Sequence, residues 1–367
     1  VFILASRQKA KKYFDPLLAQ TGDLPVPVSV LVRERDKPDD EHFATLIAAM
    51  KRGGQLRVGV PLGDEDEKGV RVGAFATSWA KALAGAGAET VDASAAIAEV
   101  HLQKTKGELS NVKRAAALGA RVLKQHFRDE METALDEERK VTHTELSQGI
   151  DACFDTPDKF NVNVNPENVD VCFQPMVQSG EALNFKPGAA VDERALSSDV
   201  IYCALGVRYR GYCAVLARTF FVDASREMQD LYDALLQAYT RALDKMVPGT
   251  SASVVYGAAL SAIKEREELL PHFTRSVGHS TGPELQEAFT LSPSNDAPIK
   301  ENMVLVLSLQ LRGVPLKEPG PNGIKTFSAR IADTIVIREA GPESMTKAPR
   351  QWERVSYDLN QGGEGGE

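Results

Sequence analysis

The stretch over residues 200–222, VIYCALGVRYRGYCAVLARTFFV, places the strongest constraint on how this chain folds. β-Branched and aromatic residues fill both halves of it, which favours two strands. Arg210 and Gly211 form a two-residue turn between them, because glycine adopts a positive φ without steric cost. That turn fixes the register of a β-hairpin, from which three cross-strand pairs follow: Tyr209 with Tyr212, Gly206 with Val215, and Ala204 with Ala217.

This register makes Ala204 and Val215 diagonal neighbours on one face of the hairpin. Their Cα atoms are expected about 7–8 Å apart, with the side-chain tips closer together. Two carboxylates at these positions would be able to share a pair of metal ions. The sequence has an alanine and a valine instead, so the hairpin predicts the scaffold of a metal site without its carboxylates.

The same hairpin resembles that of the pita-bread family, which includes methionine aminopeptidase, prolidase and creatinase. That family has approximately Asp-x-Gly on the first strand and Gly-Tyr-x-x-Asp-x-x-Arg-Thr-Phe on the second. Residues 204–206 are ALG and residues 211–220 are GYCAVLARTF, so the scaffold residues match and both aspartates are missing. The resemblance implies an α/β (α+β) fold with two lobes, similar to creatinase and aminopeptidase P, whose C-terminal lobe is the pita-bread lobe.

Composition bounds the number of domains and the class of partner. A chain of 367 residues with 43% hydrophobic content is long enough for two domains, each with its own core. The formal net charge of −8 argues weakly against binding to nucleic-acid phosphates and suits basic partners. No apolar run has the length of a membrane span and no signal peptide is recognisable, which leaves nucleus or cytosol. The first residue is not Met, so we expect a fragment of a longer protein.

The cysteines form no C-x-x-C pair. In the hairpin register Cys203 faces Arg218 and Cys213 faces Arg208, so the two hairpin cysteines do not face each other. We therefore expect free thiols in a reducing compartment rather than a disulfide framework or a zinc knuckle. This expectation covers all four cysteines: Cys153, Cys172, Cys203 and Cys213.

Strands and helices alternate in the first part of the chain, which predicts an α/β lobe over residues 1–103. This lobe contains no G-x-G-x-x-G or P-loop motif, so no phosphate cradle is predicted. The expected strands are 1–6, 26–33, 57–60 and 89–92, and the expected helices are 7–18, 41–51 and 73–83.

Residues 104–350 are assigned to the pita-bread lobe, and residues 351–367 to a tail or linker. Lys104, Glu108 and Leu109 resemble the segment that opens this lobe in the family. The hydrophobic periodicity and capping residues predict helices at 108–139, 142–154, 223–246 and 251–268. The strands at 302–311 and 325–338 are expected to complete the curved sheet.

The resemblance also locates where a pita-bread peptidase holds its two metal ions. The five ligand positions fall on Ala204, Val215, His279, Ser308 and Ala332. A two-metal hydrolase needs several oxygen and nitrogen ligands around ions about 3.5–4 Å apart. One imidazole and one hydroxyl do not meet that need, so we predict no metal, no cofactor and no metallopeptidase activity. The family's substrate-binding His is replaced as well, by Gln286.

Two other hypotheses concern the same region. His279, Ser308 and Asp333 would form a Ser-His-Asp triad if they met in one cleft, although the chain has no Gly-x-Ser-x-Gly motif or oxyanion loop. Alternatively, a remnant cleft keeps apolar walls and a few polar groups, and binds a peptide. The candidate binding residues of that cleft are His279, Arg218, Glu284, Glu287 and Asp333.

A degenerate pita-bread lobe preceded by its own N-terminal lobe resembles the N-terminal domains of the large subunits of FACT-type histone chaperones. The segment FQPMVQSG at 173–180 and the turn GHSTG at 278–282 carry the same resemblance. It implies weak binding of histones H3–H4 and their tails, with the other core-histone dimer as a further candidate, during nucleosome reorganisation in transcription, replication and repair. Through the full-length protein it implies an HMG-type partner subunit and replication and transcription factors. The implied location is the nucleus and chromosome, without membrane or sequence-specific nucleic-acid contacts.

Two rival functions stay open. The first is an RNA-binding pita-bread pseudo-enzyme of the proliferation-associated type, which lacks an N-terminal lobe and carries Lys-rich insertions. This chain has residues 1–103 ahead of the fold and a net negative charge. The second rival is a residual peptidase acting on proline-containing or N-terminal peptides.

Overall fold

The computed structural model describes residues 1–20, 26–35, 37–51, 56–60 and 74–359. The chain divides into two compact units, Val1–Ile97 and Ala98–Glu367. The second unit carries the large sheet and the positions that the sequence marks as a degenerate metal site.

The first unit alternates strands and helices, as predicted. Its described elements are β1 (Phe2–Ser6), α1 (Arg7–Lys9), a π-helical segment (Ala10–Phe14), α2 (Asp15–Gln20), β2 (Ser29–Arg33), α3 (Asp40–Met50), β3 (Arg57–Val60), α4 (Ala74–Gly85), β4 (Glu89–Asp92) and α5 (Ser94–Leu102), which contains the boundary to the second unit. β1 pairs with β2 and β3 pairs with β4, both in parallel. The buried Phe43 of α3 packs its ring against Phe75 and Trp79 of α4. Helix α5 was not predicted, because its apolar residues lie all round the helix and form no stripe.

The second unit combines helices with one large sheet. Its elements are α6 (Lys106–Val122), a π-helical segment (Leu123–Phe127), α7 (Arg128–Asp136), α8 (His143–Cys153), β5 (Val169–Ser179), β6 (Val200–Tyr209), β7 (Tyr212–Val222), α9 (Arg226–Asp244), α10 (Ala252–Ile263), β8 (Gly278–Ser280), β9 (Val304–Pro315), β10 (Thr326–Arg338), β11 (Gly341–Ser344), α11 (Trp352–Val355) and β12 (Ser356–Tyr357).

The helices of this unit follow the predicted pattern. α6, the π-helical segment and α7 run without interruption, which confirms the long helix expected from Glu108. Thr105 and Glu108 form a capping box at the start of α6, and Thr142 and Glu145 form the predicted one at the start of α8. None of the helices in the described ranges is long and apolar enough to cross a membrane.

Eight strands form the large sheet, and six of them follow the order β5-β6-β7-β10-β9-β8. β11 pairs with β10, and β12 pairs with β7. The hairpin register is confirmed at every predicted pair, Tyr209 with Tyr212 among them. Arg210 and Gly211 have φ values of 47° and 86°, so both central turn residues adopt the left-handed region that a two-residue hairpin turn requires.

Helices cover one face of this sheet. On α6, a Cβ added to Gly119 would lie 3.0 Å from Leu216 and 3.2 Å from Val207, so helix and hairpin pack closely. On α9, Tyr239 donates a hydrogen bond to Asp333 of β10. Since side chains alternate along a strand, the neighbours of these sheet residues point to the opposite face. That opposite face carries the predicted site.

Residues 351–359 do not behave as the predicted tail. Trp352 of α11 packs its ring against Phe221 of β7 and Tyr232 of α9, with centroids 5.2 and 5.7 Å away. β12 then adds to the sheet in parallel with β7. The sequence pattern of so short a segment is too weak to show this packing. The rest of the predicted tail, residues 360–367, lies outside the described residues.

Candidate functional site

Strand pairing brings four alanine and serine positions into one row across the sheet. Ala204 of β6 pairs with Ala217 of β7, and Ala217 pairs with Ala332 of β10. Ala332 in turn pairs with Ser308 of β9. Paired residues of neighbouring strands point to the same face, so three of the predicted ligand positions, Ala204, Ala332 and Ser308, lie in this row.

The other two predicted positions lie on the same face. Val215 is two residues from Ala217 on β7. His279 of β8 pairs with Val306, which is two residues from Ser308 on β9. Because side chains on a strand repeat with a period of two, Val215 and His279 point the same way as the row. The structure therefore brings together all five positions that the sequence analysis singled out.

The guanidinium of Arg330 enters this region from β10. Its Nε donates to Ser308 Oγ over 2.9 Å, and its Nη1 donates to the Phe185 carbonyl and, over 3.4 Å, to the Tyr202 hydroxyl. Arg330 pairs directly with Gln310 of β9. A positively charged side chain thus lies on the face where a pita-bread peptidase binds its metal ions.

Sequence reasoning missed Arg330, although a signal for it was present. Arg330 is two residues before Ala332 on the same strand, so the period of two already places both side chains on one face. Only the structure shows that the long side chain turns toward Ser308 rather than toward solvent.

His279 is partly buried beside this guanidinium. Its Nδ1 donates to the Ser280 carbonyl over 3.0 Å. Burial lowers the pKa of His279, and the positive charge of Arg330 lowers it further, although the bond to Ser280 opposes both. A neutral imidazole is therefore the favoured form near pH 7.

The side chains at this site do not fit a divalent metal ion. Ala204, Val215 and Ala332 have no donor atom, and the Ser308 hydroxyl already accepts from Arg330. In the part of the chain that the structure describes, no group of three or more His, Cys, Asp or Glu side chains is placed to hold a metal ion. A cation entering here would also meet the charge of Arg330 at short range.

The triad hypothesis is wrong in its geometry. Asp333 pairs with Leu307, so its side chain lies on the helix-covered face, opposite to Ser308 and His279. Ser308 binds Arg330, and His279 binds the Ser280 carbonyl. The three residues therefore do not meet in one cleft.

Arg218 and Asp333 form a fully buried ion pair on that helix-covered face. Arg218 Nη2 donates to the two carboxylate oxygens of Asp333 over 2.8 and 3.1 Å, and both residues are 0% exposed. The remaining Arg218 donors bind backbone carbonyls of Ala217, Ala332, Ala348 and Pro349. Tyr239 and Thr346 also donate hydrogen bonds to Asp333, and Arg350 Nη1 lies 3.6 Å from its Oδ2. Neither side chain reaches solvent, so these two predicted binding residues cannot contact a ligand directly.

The two predicted glutamates lie in the loop after β8. Glu287 accepts from Lys104 Nζ over 2.7 Å, and the side chains are 10% and 1% exposed. This pair packs against Gly282, where an added Cβ would lie 2.4 Å from Glu287 Oε1. Glu284 is exposed and is the one predicted binding carboxylate that solvent reaches freely.

The structure contains another arrangement with triad contacts, which the sequence did not reveal. The buried His143 contacts Ser179 Oγ through Nε2 and Asp192 Oδ1 through Nδ1, both at 2.7 Å. Ser179 Oγ also accepts from the Ser197 amide over 2.8 Å and is enclosed in the protein, with the residue 3% exposed. A substrate carbonyl cannot approach that oxygen, so these residues tie the segment after β5 to α8.

All four cysteines are free in the structure, as predicted. Cys213 accepts from Arg208 Nε over 3.4 Å. A hydrogen bond from Cys172 lowers the pKa of Cys213 to about 7 with help from Arg208, although burial opposes the shift. The hydrogen bond with Cys213 and burial raise the pKa of Cys172.

Comparison with known families accounts for both units. Residues 110–339 match metallopeptidase family M24, and residues 1–96 match the FACT complex subunit SPT16 N-terminal lobe domain. The FACT complex subunit SPT16 of Zea mays is 31% identical over 368 residues, covering 98% of this chain and 34% of that protein. The chain therefore spans about a third of the length of this curated relative.

Solved structures show the same relationship. The N-terminal domain of FACT complex subunit SPT16 from Cicer arietinum (chickpea) superposes with a TM-score of 0.84 at 27% identity, covering 97% of this chain and 84% of that one. An X-Pro aminopeptidase from Thermotoga maritima has a TM-score of 0.68 at 20% identity, covering 97% of this chain and 87% of that one, which shows a shared fold alone. The chain thus has the two-lobed fold of creatinase and prolidase, and it belongs to the M24 family, in the branch formed by the N-terminal domains of FACT complex subunit SPT16.

Proposed function

We propose that this chain is a non-catalytic binding module of a FACT-type histone chaperone. The observation that carries the proposal is the replacement of a metal site by apolar side chains and one guanidinium. Three of the five ligand positions have no donor atom, and at a fourth, Ser308, the hydroxyl already accepts a hydrogen bond from Arg330. A two-metal mechanism needs bound water activated between two cations, and these residues offer no means of holding either cation.

The relatives support a histone partner. They are named FACT complex subunit SPT16, and this chain corresponds to about a third of their length. We propose weak contacts with H3–H4 and their tails, and docking within a complex that includes an HMG-type subunit and replication and transcription factors. The acidic net charge of −8 favours contact with basic histones through long-range attraction. The proposed location is the nucleus and chromosome.

Binding to histones is tested by titrating the chain with H3–H4, with the other core-histone dimer and with RNA. We expect saturable H3–H4 binding with a Kd of about 1–50 μM, as for a weak transient contact, and weakening at raised salt. RNA is expected to show no binding in the same range. Submicromolar RNA binding with a steep salt dependence would support the RNA-binding rival instead. Absence of histone binding would contradict the proposal.

Loss of catalysis is tested with Mn²⁺, Co²⁺ and Zn²⁺ and with proline-containing and N-terminal peptides. We expect no saturable metal binding by calorimetry at micromolar concentrations, and no hydrolysis above background. An active M24 prolidase assayed in parallel shows that the substrates and metals are competent. Hydrolysis that disappears in His279→Ala would overturn the non-catalytic assignment, whereas hydrolysis that persists identifies a contaminant.

A further inference from the structure

Four partly exposed residues lie on the same face of the large sheet, opposite to the face that the helices cover. They are His279, Ser308, Gln310 and Arg330, named here the guanidinium cleft. The apolar residues of the same face are buried, since Ala204, Ala217, Ala332 and Val215 are at most 5% exposed. Solvent therefore reaches the polar side chains of this face, whereas the apolar side chains beside them are buried.

The charge at the centre of the cleft has no counter-ion in the described chain. The buried cations elsewhere in this unit are paired, Arg218 with Asp333 and Lys104 with Glu287. Arg330 instead binds a hydroxyl, a carbonyl and a phenol, and no described carboxylate forms an ion pair with it. A partly desolvated charge is costly without a charged partner, so the site favours an incoming anion.

Three donors or acceptors remain available around this charge. Within the described residues, no protein group bonds Arg330 Nη2, the Gln310 amide or His279 Nε2. Gln310 lies directly opposite Arg330 on the neighbouring strand. A planar guanidinium with a free Nη2 beside an amide suits a carboxylate, because both partners of such a pair are planar and the hydrogen bonds are charge-assisted.

We propose that the guanidinium cleft binds a peptide through a carboxylate, held by Arg330 and Gln310. The inference rests on the proposed function, since it assigns a ligand class to the binding module described above. The carboxylate comes either from an Asp or Glu side chain or from the C-terminus of the partner. Lys and Arg side chains of histone tails are repelled by Arg330, so the H3–H4 contact lies elsewhere on the chain.

Three short peptides distinguish the source of the carboxylate. Acetyl-Ala-Glu-Ala-amide carries a side-chain carboxylate only, acetyl-Ala-Ala-Ala carries a terminal one only, and acetyl-Ala-Gln-Ala-amide carries none. NMR titration of the whole chain follows the signals of the His279 ring and the Arg330 side chain. We expect saturable shifts with a Kd on the order of 1 mM for at least one acidic peptide and no saturation for the neutral one.

Substitution of Arg330 tests the assigned contact. Arg330→Gln is expected to weaken binding of the acidic peptide about tenfold or more. Arg330→Lys is expected to restore part of this affinity, because lysine returns the positive charge without the planar pair of donor nitrogens. Lys113→Gln, an exposed residue on α6, changes the net charge equally and is expected to leave binding unchanged. Melting curves check that each variant is folded.

The outcomes separate this inference from the proposed function. If no acidic peptide binds, if the neutral peptide binds equally, or if Arg330→Gln binds as the wild type does, the cleft does not recognise a carboxylate. Histone binding by the wild type is tested independently of the peptides, in the H3–H4 titration described above. We expect Arg330→Gln to retain its H3–H4 affinity, and a loss of more than about tenfold there would place the histone in the cleft and overturn the carboxylate assignment.

Discussion

Arg218→Met is expected to lower the free energy of unfolding of the second unit by about 3–5 kcal/mol, as when one partner of a buried ion pair is removed. The substitution leaves the Asp333 carboxylate at 0% exposure with hydrogen bonds from Tyr239 and Thr346. Arg350, 3.6 Å away and 24% exposed, is the cation that stays beside it, so we expect the loss near the lower end of this range. It also removes the hydrogen bonds that the guanidinium gives to four backbone carbonyls. Methionine has a similar length, so loss of packing contributes little.

Urea unfolding followed by circular dichroism measures this loss, with two comparison variants. Arg226→Met removes an exposed pair with Asp230, whose side chains are 76% and 48% exposed, and should cost less than about 1 kcal/mol. Arg218→Met combined with Asp333→Leu removes both buried charges and should cost less than the sum of the two single substitutions. If Arg218→Met and Arg226→Met lose similar stability, the buried ion pair between β7 and β10 contributes no more to folding than an exposed pair does.

Two arginines of this sheet differ in whether their charge is balanced by a carboxylate of the protein. Arg218 lies next to Ala217 and Arg330 lies two residues from Ala332, so the alternation along a strand sends them to opposite faces. On the helix-covered face, every donor of Arg218 has a partner and a carboxylate balances its charge. On the other face, Arg330 keeps a free donor and no counter-ion within the described residues. The geometry therefore assigns stability to one arginine and ligand binding to the other.

Much of the fold was predictable because its signals are local. The hairpin register follows from a two-residue turn between β-rich segments, and the capping boxes mark where α6 and α8 begin. The direction of the Arg218 and Asp333 side chains was also accessible from the sequence. Asp333 is one residue after Ala332 and Arg218 is three residues after Val215, so both point away from the predicted site. The prediction that both residues bind a peptide in the remnant cleft did not apply this rule.

Other features depend on contacts between distant segments and leave no local pattern. The docking of Trp352 against Phe221 and Tyr232 depends on a pocket built by β7 and α9. The turn of the Arg330 side chain toward Ser308 depends on which rotamer the neighbouring Phe185 carbonyl and Tyr202 hydroxyl stabilise. The contacts of His143 join residues 36 and 49 positions away along the chain. A sequence pattern describes periodicity within one segment and carries no information on side-chain contacts between distant segments.

Gly278→Ala is expected to destabilise the second unit by about 2–6 kcal/mol, combining about 1–3 for backbone strain with about 1–3 for overpacking. Gly278 has a φ of 156°, which residues with a Cβ rarely adopt. An added Cβ would lie 2.2 Å from the backbone oxygen of Val306 and 3.1 Å from Leu291. The backbone oxygen belongs to the paired strand β9 and cannot move aside as a flexible side chain does.

Gly257→Ala is the matched control, since it adds the same methyl group in α10 where no other group lies within 4 Å. It should stabilise the protein by up to about 1 kcal/mol, because alanine is the better helix former. Equal effects of both substitutions would show that β8 is not held as tightly against β9 as the contact distances imply. Since His279 follows Gly278 directly, a displaced β8 in Gly278→Ala should also alter the His279 ring signals. The glycine of this segment therefore sets both the stability of the sheet edge and the position of the imidazole in the guanidinium cleft.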